Sequence, residues 1–530
     1  MKLLTALRRS YLRDIYEEVS DSAVFRSTVL FTVICGFFVH FFMLSNYIFN
    51  HDSVILPYTN MDWLLTQGKW FVTPLHAYKG TLALNYIGGA VGIVATALLA
   101  GVLTLIFSVR SKWAGWLIGA VAVAFPSVAT MLMYRAADYF QLVALMAVLA
   151  AYFAQKDDWL SILLGIVLLT FSIGSYQAYL GLTASILVLL CILDLLRAEH
   201  SCQDIVLRGL RYIVQLLVSI GLYYAVLQVA LKLTGTSLDS YKGINDMASI
   251  LEPTKLCEAV LVALNNIYGF LLQDNLGQPS RIMAVLYTAV ALAAAALAVW
   301  TLVKRDLPEK LLRSVLLGIL LVVVYPLAIN IIGVLSANQS YYYITVYPFI
   351  MLFICVPVLL QECFPPEESF GRQSVIRCVS LLLVAACVWS WFIRDNQGYQ
   401  KLFHENYNLQ SKSTALVAQI QDIPGYTIET PVVLMGSTPY LFLSSQGMGH
   451  DFDAINTTAM GFGSAADEVY AQRVLYYYIV NNISPFMTFG NEEDLPDDIR
   501  AVASTMPVYP NQSSIQMVDG YILVKLGVTE

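Results

Sequence analysis

Charged side chains are scarce in this chain of 530 residues, and their scarcity excludes most classes of soluble protein. Asp, Glu, Lys and Arg together make up 13% of the residues, whereas hydrophobic residues make up 58%. Soluble domains carry about a quarter charged residues. Apolar runs of about 18 residues or more, long enough to cross a bilayer, recur along the chain as far as residue 393. The sequence therefore predicts an α-helical polytopic membrane protein.

Cysteine and histidine patterns typical of structural sites are also missing. None of the eight cysteines lies beyond residue 394, and neither CxxC nor HExxH spacing occurs. A disulfide framework in the tail and a zinc centre of familiar spacing are therefore not expected. We therefore predict no metal-ligand set from residue spacing. A divalent cation bound by isolated carboxylates is the alternative. The net charge of −7 argues against nucleic acid as a partner.

The apolar runs predict about eleven transmembrane helices. Their approximate bounds are 24–49, 83–109, 113–133, 139–154, 159–175, 180–196, 209–231, 281–303, 314–335, 342–361 and 374–393. Residues 1–23 form a basic amphipathic lead-in, and Lys and Arg are enriched in the loops on the same side, so this side is predicted to be cytoplasmic. The loop 50–82 and the tail then lie outside. The segment 256–272 is interpreted as an interfacial or re-entrant helix; if it spans, every later loop changes side.

The tail differs from the membrane body in composition, because charged residues return after residue 394. Short strands are predicted at 431–436 and 521–526, and a tyrosine-rich helix at 467–481. A small extracytoplasmic α/β domain is the simplest interpretation. The predicted domains are thus a lead-in at 1–23, a transmembrane body at 24–394 that includes the outer loop 50–82, and the tail domain at 395–530.

The outer loop carries two carboxylates, Asp52 and Asp62, at the edge of the predicted membrane. Ionisable groups at that depth are costly and are usually functional. Further polar residues are expected on the same face: His51, Lys69, Trp70, Arg135, Asp138, Tyr176, Gln177 and Tyr179. The alternatives are a helix cap or solvated carboxylate for Asp52 and Asp62, and a local salt bridge between Arg135 and Asp138. Tyr341, Tyr342 and Tyr343 are interpreted as aromatic-belt residues, with sugar or lipid contact as the alternative.

A carboxylate beside cations at the level of lipid headgroups suggests one reaction in particular. A general base removes the proton of an acceptor hydroxyl while Lys or Arg neutralises a departing lipid phosphate. Asp52 is the predicted base, and Lys69 and Arg135 are the predicted phosphate partners. His51 is expected to hydrogen-bond Asp52 or contact substrate. Gln177, between two tyrosines, is a candidate for sugar recognition, because a buried amide needs hydrogen-bond partners.

Four short motifs together resemble a known family. They are Asn-x-Asp at 50–52, Gly-Lys-Trp at 68–70, RAADYF at 135–140 and GSYQAY at 174–179. In this combination the membrane body, about residues 24–395, is similar to the bacterial type II Gtr glucosyltransferases. These are GT-C enzymes that use polyprenyl-phosphate sugars and modify O-antigen or related cell-surface polysaccharides.

The resemblance implies an inverting hexosyl transfer, of glucose, on the outer face of the bacterial cytoplasmic membrane. Asp52 occupies the place of the loop's catalytic acid, with Asp62 as a second catalytic candidate. Two positions depart from the pattern: His51 stands where a second acid is expected, and Lys69 replaces the usual arginine, so a point charge replaces a bidentate fork. The alternatives to a transferase are a transporter or flippase of lipid-linked sugars and an assembly protein whose tail binds cell-wall polymer.

Overall fold

The computed structural model describes residues 2–55, 63–77, 85–197, 199–239, 252–335, 342–364, 372–436, 455–457, 460 and 468–527. The chain divides into two compact units, which are described separately. The first consists of Met1–Leu44 and Asn60–Asp395, and the second of Ser45–Thr59 and Asn396–Glu530. The segment Ser45–Thr59 thus belongs with the tail, whereas the sequence analysis assigned the whole outer loop to the membrane body.

The described part of the chain is mainly helical. In chain order the helices are α1 Lys2–Asp21, α2 Ala23–Ser45, α3 His51–Ile55, α4 Trp63–Thr66, α5 Val72–Ala77, α6 Asn85–Ile106, α7 Lys112–Ala124, α8 Pro126–Met133, α9 Ala137–Ala154, α10 Trp159–Ser175, α11 Leu180–Arg197, α12 Cys202–Thr234, α13 Pro253–Gln273, α14 Arg281–Lys304, α15 Lys310–Ile319, α16 Tyr325–Ile329, α17 Ile331–Leu335, α18 Ile350–Cys363, α19 Arg372–Gln421, α20 Glu468–Tyr478 and α21 Asp497–Thr505. Short 3-10 turns at Gln177–Tyr179, Tyr343–Thr345 and Tyr347–Phe349 connect some of them, and Leu320–Val324 is a π turn.

These helices confirm the prediction of a polytopic helical membrane protein. Within the described residues, nine helical segments are long and apolar enough to cross a membrane, and two of these segments, Lys112–Met133 and Lys310–Ile329, join α7 with α8 and α15 with α16. Three shorter apolar helices, Asp138–Ala154, Trp159–Ser175 and Tyr347–Cys363, accompany them. Helix α13 is one of the nine by length and composition. Both the interfacial and the spanning interpretation of residues 256–272 therefore stay predictions.

Two predicted spans are interrupted, and proline accounts for the clearer break. The span 113–133 is divided into α7 and α8 at Phe125, which is extended with ψ 135° because it precedes Pro126. The span 314–335 contains the π turn before Pro326 and stops being helical at Asn330. The Asn330 side-chain amide donates to the Ala263 carbonyl at 3.0 Å, so α13 supplies an acceptor at this break.

Helix α19 extends far beyond the span predicted at 374–393, because it is 50 residues long. After Asp395 its fully buried residues Tyr399, Leu402, Leu409 and Leu416 recur every three to seven positions. This spacing keeps one face of a helix apolar. The hydropathy boundary near residue 394 is therefore a change of environment within one helix and not the end of the helix.

The second unit contains a small four-stranded sheet of β1 Val432–Met435, β2 Phe489–Gly490, β3 Ile515–Val518 and β4 Tyr521–Lys525. The strand order is β2-β1-β4-β3, with β1 parallel to β2 and to β4, and β3 antiparallel to β4. Asp519 and Gly520, both with positive φ, form the two-residue hairpin turn between β3 and β4. The predicted strands at 431–436 and 521–526 and the helix near 467–481 are confirmed.

Helices cover both faces of this sheet. Leu434 and Val524 share one core cluster with Leu416 of α19 and Val474 of α20. On the opposite face Leu523 packs with Ile499 of α21. Residues from α3 and its flank, Phe49 and Ile55, also lie in the first cluster, which explains why the segment Ser45–Thr59 folds with the tail.

Candidate active site

Helix α3, which carries Asp52, is held firmly within the second unit. The Asn406 side chain pairs with both backbone groups of Phe49, accepting from its N–H at 2.8 Å and donating to its carbonyl at 3.1 Å. The Asn50 side-chain oxygen accepts from the Ser53 N–H at 2.8 Å, and the Ser53 hydroxyl accepts from the Asn50 N–H at 2.9 Å. This reciprocal cap explains why so short a helix forms here.

Asp52 lies in the first turn of α3 with its side chain 46% exposed, and His51 is beside it. The distance from His51 Nε2 to Asp52 Oδ1 is 3.3 Å, and the imidazole is only 11% exposed. A carboxylate that is open to solvent and bonded to an imidazole on a fixed helix can accept a proton from a bound hydroxyl. The predicted pairing of His51 with Asp52 is thus present. Asp62, the second catalytic candidate, lies outside the described residues, as does Tyr341.

Part of the outer loop packs inside the first unit. Leu65 is buried in a core cluster with Ile173 and Leu227, and Trp70 packs against the same cluster. Trp63, by contrast, is 42% exposed. Helix α4 is therefore fixed by protein contacts through Leu65.

The turn after α4 is bonded to α12 and to the turn before α11. The Tyr223 hydroxyl donates to the Gly68 carbonyl at 3.1 Å, and the Gln177 amide donates to the Gln67 carbonyl at 3.1 Å and to the Tyr223 hydroxyl at 3.2 Å. Gly68 has φ +75°, and a Cβ there would lie 2.6 Å from the Tyr223 hydroxyl. Only glycine combines this backbone conformation with so close an approach. Gln177 therefore has a structural role in addition to any substrate contact.

Trp70 and Phe71 attach the same turn to α10. The Phe71 N–H donates to the Gly174 carbonyl at 2.8 Å, and a Cβ on Gly174 would lie 2.4 Å from the Trp70 ring. Both aromatic rings contact Phe171 edge to face. The indole N–H of Trp70 is buried and has no acceptor among the residues that the structure describes, which is compatible with the predicted role in substrate binding.

Lys69 is fixed by this turn and directed toward Tyr176. Its ammonium donates to the Gln67 side-chain oxygen at 2.9 Å and lies 5.9 Å from the centre of the Tyr176 ring. The Tyr176 hydroxyl donates to the Ile344 carbonyl at 3.1 Å. Tyr176 thus contacts both the Lys69 turn and the segment of Ile344, which the sequence separates widely.

Arg135 and Asp138 lie between α8 and the first turn of α9. Arg135 has φ +53°, an uncommon conformation for a residue with a side chain and one that often marks a functional position. Asp138 is fully buried, and a Cβ on Gly88 would lie 3.7 Å from its carboxyl carbon. Asp138 thus lies buried between α6 and α9.

Two tyrosines that were expected near the membrane surface are instead buried. Tyr179 is 0% exposed and contacts Tyr176 edge to face at 5.1 Å, so it supports Tyr176 from within the core. Tyr343 is 3% exposed, and its carbonyl accepts from Ser127 at 2.5 Å. The belt interpretation is wrong for Tyr343, because the 3-10 turn that contains it folds inward, whereas Tyr342 is 42% exposed.

A buried ion pair in the first unit was missed by the sequence analysis. The Arg394 guanidinium donates to Asp274 at 3.0 Å and to the Gln278 carbonyl at 2.5 Å, and Asp274 also accepts from the Ser280 N–H at 3.1 Å. Burial raises the pKa of Asp274 to about 6, although the nearby Arg394 acts to lower it. The signal available in the sequence was that each residue directly follows an apolar segment, where an ionisable group needs a partner.

Comparison with known proteins adds one finding. A family model described as glucosyl transferase GtrII matches residues 41–353. The chain belongs to the GtrII glucosyl transferase family. This GtrII-family membrane protein is therefore a glucosyltransferase, and the resemblance noted in the sequence is confirmed. Searches of curated proteins and of solved structures gave no match.

The described part of this glucosyltransferase contains no group of three or more His, Cys, Asp or Glu side chains that could hold a metal ion. The matched segment includes α3 of the second unit and the Lys69 turn of the first. His51 and Asp52 thus lie in one unit, and Lys69, Trp70, Arg135, Asp138, Tyr176, Gln177 and Tyr179 lie in the other.

Proposed function

We propose that this protein transfers glucose from a polyprenyl-phosphate carrier to a cell-surface polysaccharide, with inversion at the anomeric carbon, as a GT-C enzyme does. The observation that carries the proposal is the family match over residues 41–353, which contains both Asp52 and Lys69. Long apolar helices support a lipid-linked donor, because such a donor reaches an enzyme through the bilayer. The enrichment of Lys and Arg in the loops on the side of residues 1–23 supports a reaction on the outer face of the bacterial cytoplasmic membrane.

In the proposed reaction Asp52 acts as the general base. Its carboxylate removes the proton of an acceptor hydroxyl, and that oxygen forms a bond to the anomeric carbon from the face opposite the phosphate. The bond between the anomeric carbon and the phosphate oxygen breaks at the same time, and the electron pair leaves with polyprenyl phosphate. His51 orients Asp52 through the contact at 3.3 Å. A positioned base of this kind contributes about 10²- to 10⁴-fold in rate.

Lys69 and Arg135 are proposed to neutralise the departing phosphate. The Lys69 ammonium donates to the amide oxygen of Gln67, and an ammonium next to a phosphate oxygen forms a charge-assisted hydrogen bond. Trp70, Tyr176 and Gln177 are proposed to bind the sugar or the carrier, since aromatic faces and amides suit hydroxylated rings. No step is assigned to a divalent cation. Asp62 stays a second catalytic candidate.

The proposal is tested by measuring transfer of radiolabelled glucose from polyprenyl-phosphate glucose to endogenous glycan in membranes. The Asp52→Asn variant should lose about 10²- to 10⁴-fold of the wild-type rate, while its thermal unfolding temperature stays the same because Asp52 is partly exposed. Asp422→Asn, an exposed residue of the second unit, is the matched control and should transfer normally. Equal transfer by wild type and Asp52→Asn would refute the assigned base. Movement of the lipid-linked sugar across vesicles without transfer would favour the transporter alternative.

A further inference from the structure

Two adjacent tyrosines in α12 have opposite environments. Tyr223 is 6% exposed, whereas Tyr224 is 57% exposed. Tyr223 lies on the same buried face as Ser219 and Leu227, four residues away in each direction. Its phenol body packs in the apolar cluster with Leu65 and Ile173. A buried phenol needs a partner for its hydroxyl, and this partner is the turn that precedes Lys69.

The Tyr223 hydroxyl uses both of its hydrogen-bonding capacities in this turn. It donates to the Gly68 carbonyl at 3.1 Å and accepts from the Gln177 amide at 3.2 Å. The same amide nitrogen of Gln177 donates to the Gln67 carbonyl at 3.1 Å. Two successive backbone carbonyls, those of Gln67 and Gly68, are thus held by one pair of bonded side chains.

The chain after α12 adds a second attachment of the same turn. The Asp239 N–H donates to the Thr66 carbonyl at 2.9 Å. Within the turn, the Lys69 N–H donates to the Leu64 carbonyl at 3.0 Å, and the Gln67 side chain accepts from the Lys69 ammonium at 2.9 Å. The position of the ammonium therefore depends on the turn, and the turn depends on α12.

We propose that Tyr223 is a positioning residue for Lys69: its hydroxyl, together with Gln177, fixes the Gln67–Gly68 backbone so that the ammonium is directed at an anionic phosphate oxygen of the substrate. This inference rests on the proposed function, in which Lys69 neutralises the carrier phosphate. Such an ammonium stabilises charge only where it is held in place before the reaction. Loss of the Tyr223 hydroxyl leaves the packing intact and removes the constraint.

The first experiment compares Tyr223→Phe with Tyr224→Phe, the same change on the same helix. Transfer from polyprenyl-phosphate glucose is measured at varied donor concentration. Tyr223→Phe should lower kcat/KM about 5-fold, the effect expected for one neutral hydrogen bond, and Tyr224→Phe should match wild type. Equal rates for all three proteins would overturn the proposal.

A double-mutant cycle with Lys69→Met separates positioning from a general loss of stability. If Tyr223 acts through Lys69, Tyr223→Phe should cause no further loss of transfer in the Lys69→Met background, because neighbours that act as a unit are non-additive. A 5-fold loss in both backgrounds would show that Tyr223 acts independently of Lys69, and the proposal would be wrong.

Amide hydrogen exchange tests the contact without requiring transfer. Peptides that cover residues 63–77 should exchange faster in Tyr223→Phe than in Tyr224→Phe, because the Gly68 and Lys69 amides are bonded within the fixed turn. Unchanged exchange would exclude the positioning role even if the enzyme is active. Absence of transfer by the wild-type protein would instead refute the proposed function, so the two failures are distinguishable.

Discussion

The two ends of the first unit use charged side chains in opposite ways. One end, called the basic end here, is where α11 and α18 finish and α12 begins, and it contains Arg197, Arg208, Arg305 and Arg313. The other, the Lys69 end, is where α11 begins, and it contains residues 67–71, 176–177 and 344. At the basic end Arg197 pairs with Glu362 and Arg208 with Asp194, each at 2.6 Å. Asp194 is buried in this pair.

Arginines at the basic end also donate hydrogen bonds to backbone carbonyls, including those at the end of α11. Arg313 is 0% exposed and donates to the carbonyls of Pro308, Leu195 and His200. Arg305 donates to the carbonyl of Leu196 at 2.7 Å. The last carbonyls of a helix have no partner within it, and cations are favourable beside them. Positive charge at this end is therefore used for structure.

At the Lys69 end, neutral groups hold the backbone. A phenol and an amide bind the turn before Lys69, and the Tyr176 hydroxyl binds the Ile344 carbonyl. The ammonium itself is bonded to an amide oxygen. The difference teaches that the backbone is held by charged arginines at one end of this unit and by neutral hydroxyl and amide groups at the other. Arg394, buried against Asp274, is a structural cation in the same unit and shows that the distinction belongs to individual residues.

The largest expected effect is at the basic end. Arg313→Met should lower the free energy of unfolding by about 3 kcal/mol or more, because three carbonyls lose a buried charged donor and each unsatisfied group costs about 1 to 3 kcal/mol. Thermal unfolding in detergent measures this. Arg281→Met, an exposed arginine at the start of α14, is the matched control and should change stability by less than about 0.5 kcal/mol. A small effect at Arg313 would remove the contrast between the ends.

The next effect is at Gly68. Gly68→Ala should cost about 2 to 3 kcal/mol, because alanine is strained at positive φ and its Cβ would displace the Tyr223 hydroxyl. The rate of glucose transfer should fall in the same variant. Gly235→Ala is the matched control, since Gly235 has φ +67° with nothing within 4 Å of its Cβ position, and it should show only the strain, about 1 kcal/mol. If Gly68→Ala and Gly235→Ala lower the free energy of unfolding by the same amount, the contact of Gly68 with Tyr223 does not contribute to stability.

The smallest effect is a pH dependence at the Asp274–Arg394 pair. The folded-state pKa of Asp274, about 6, lies above the ordinary value, so the folded protein binds this proton more tightly than the unfolded chain. The contribution of Asp274 to the free energy of unfolding should therefore rise by about 1 kcal/mol as the pH falls from 7 to 5. Unfolding temperatures should show that rise in wild type, and it should be missing from the pH profile of Asp274→Asn.

Asp306→Asn is the control for this pH dependence, because Asp306 is exposed. It should keep the wild-type profile. A profile of Asp274→Asn parallel to wild type between pH 7 and pH 5 would contradict the assignment. The absolute stability of Asp274→Asn is expected to be lower at neutral pH, since it leaves the Arg394 charge without its carboxylate.

Much of the fold follows directly from the sequence, whereas the site followed only in part. Hydropathy predicted the apolar helices because their length is set by the bilayer, and the strands near 432 and 521 followed from short apolar runs between turn residues. Lys69 and Asp52 were predicted as site residues because charge at a membrane boundary is unusual. The proposed role of Tyr223 was not predicted from the sequence. Tyr223 and Tyr224 have the same hydropathy, and they differ only in the face of α12 on which each lies.

The sequence by itself determined that the chain is a polytopic helical membrane protein of the GtrII type, because segment length, polarity and short motifs are local properties. Only the tertiary structure decided that Ser45–Thr59 folds with the tail, that Tyr343 and Asp138 are buried, and that Tyr223 and Gln177 hold the Lys69 turn. These features depend on contacts between residues far apart in the sequence, such as Tyr223 with Gly68, which are 155 positions apart. Their burial and bonding are set by packing, which no local pattern encodes.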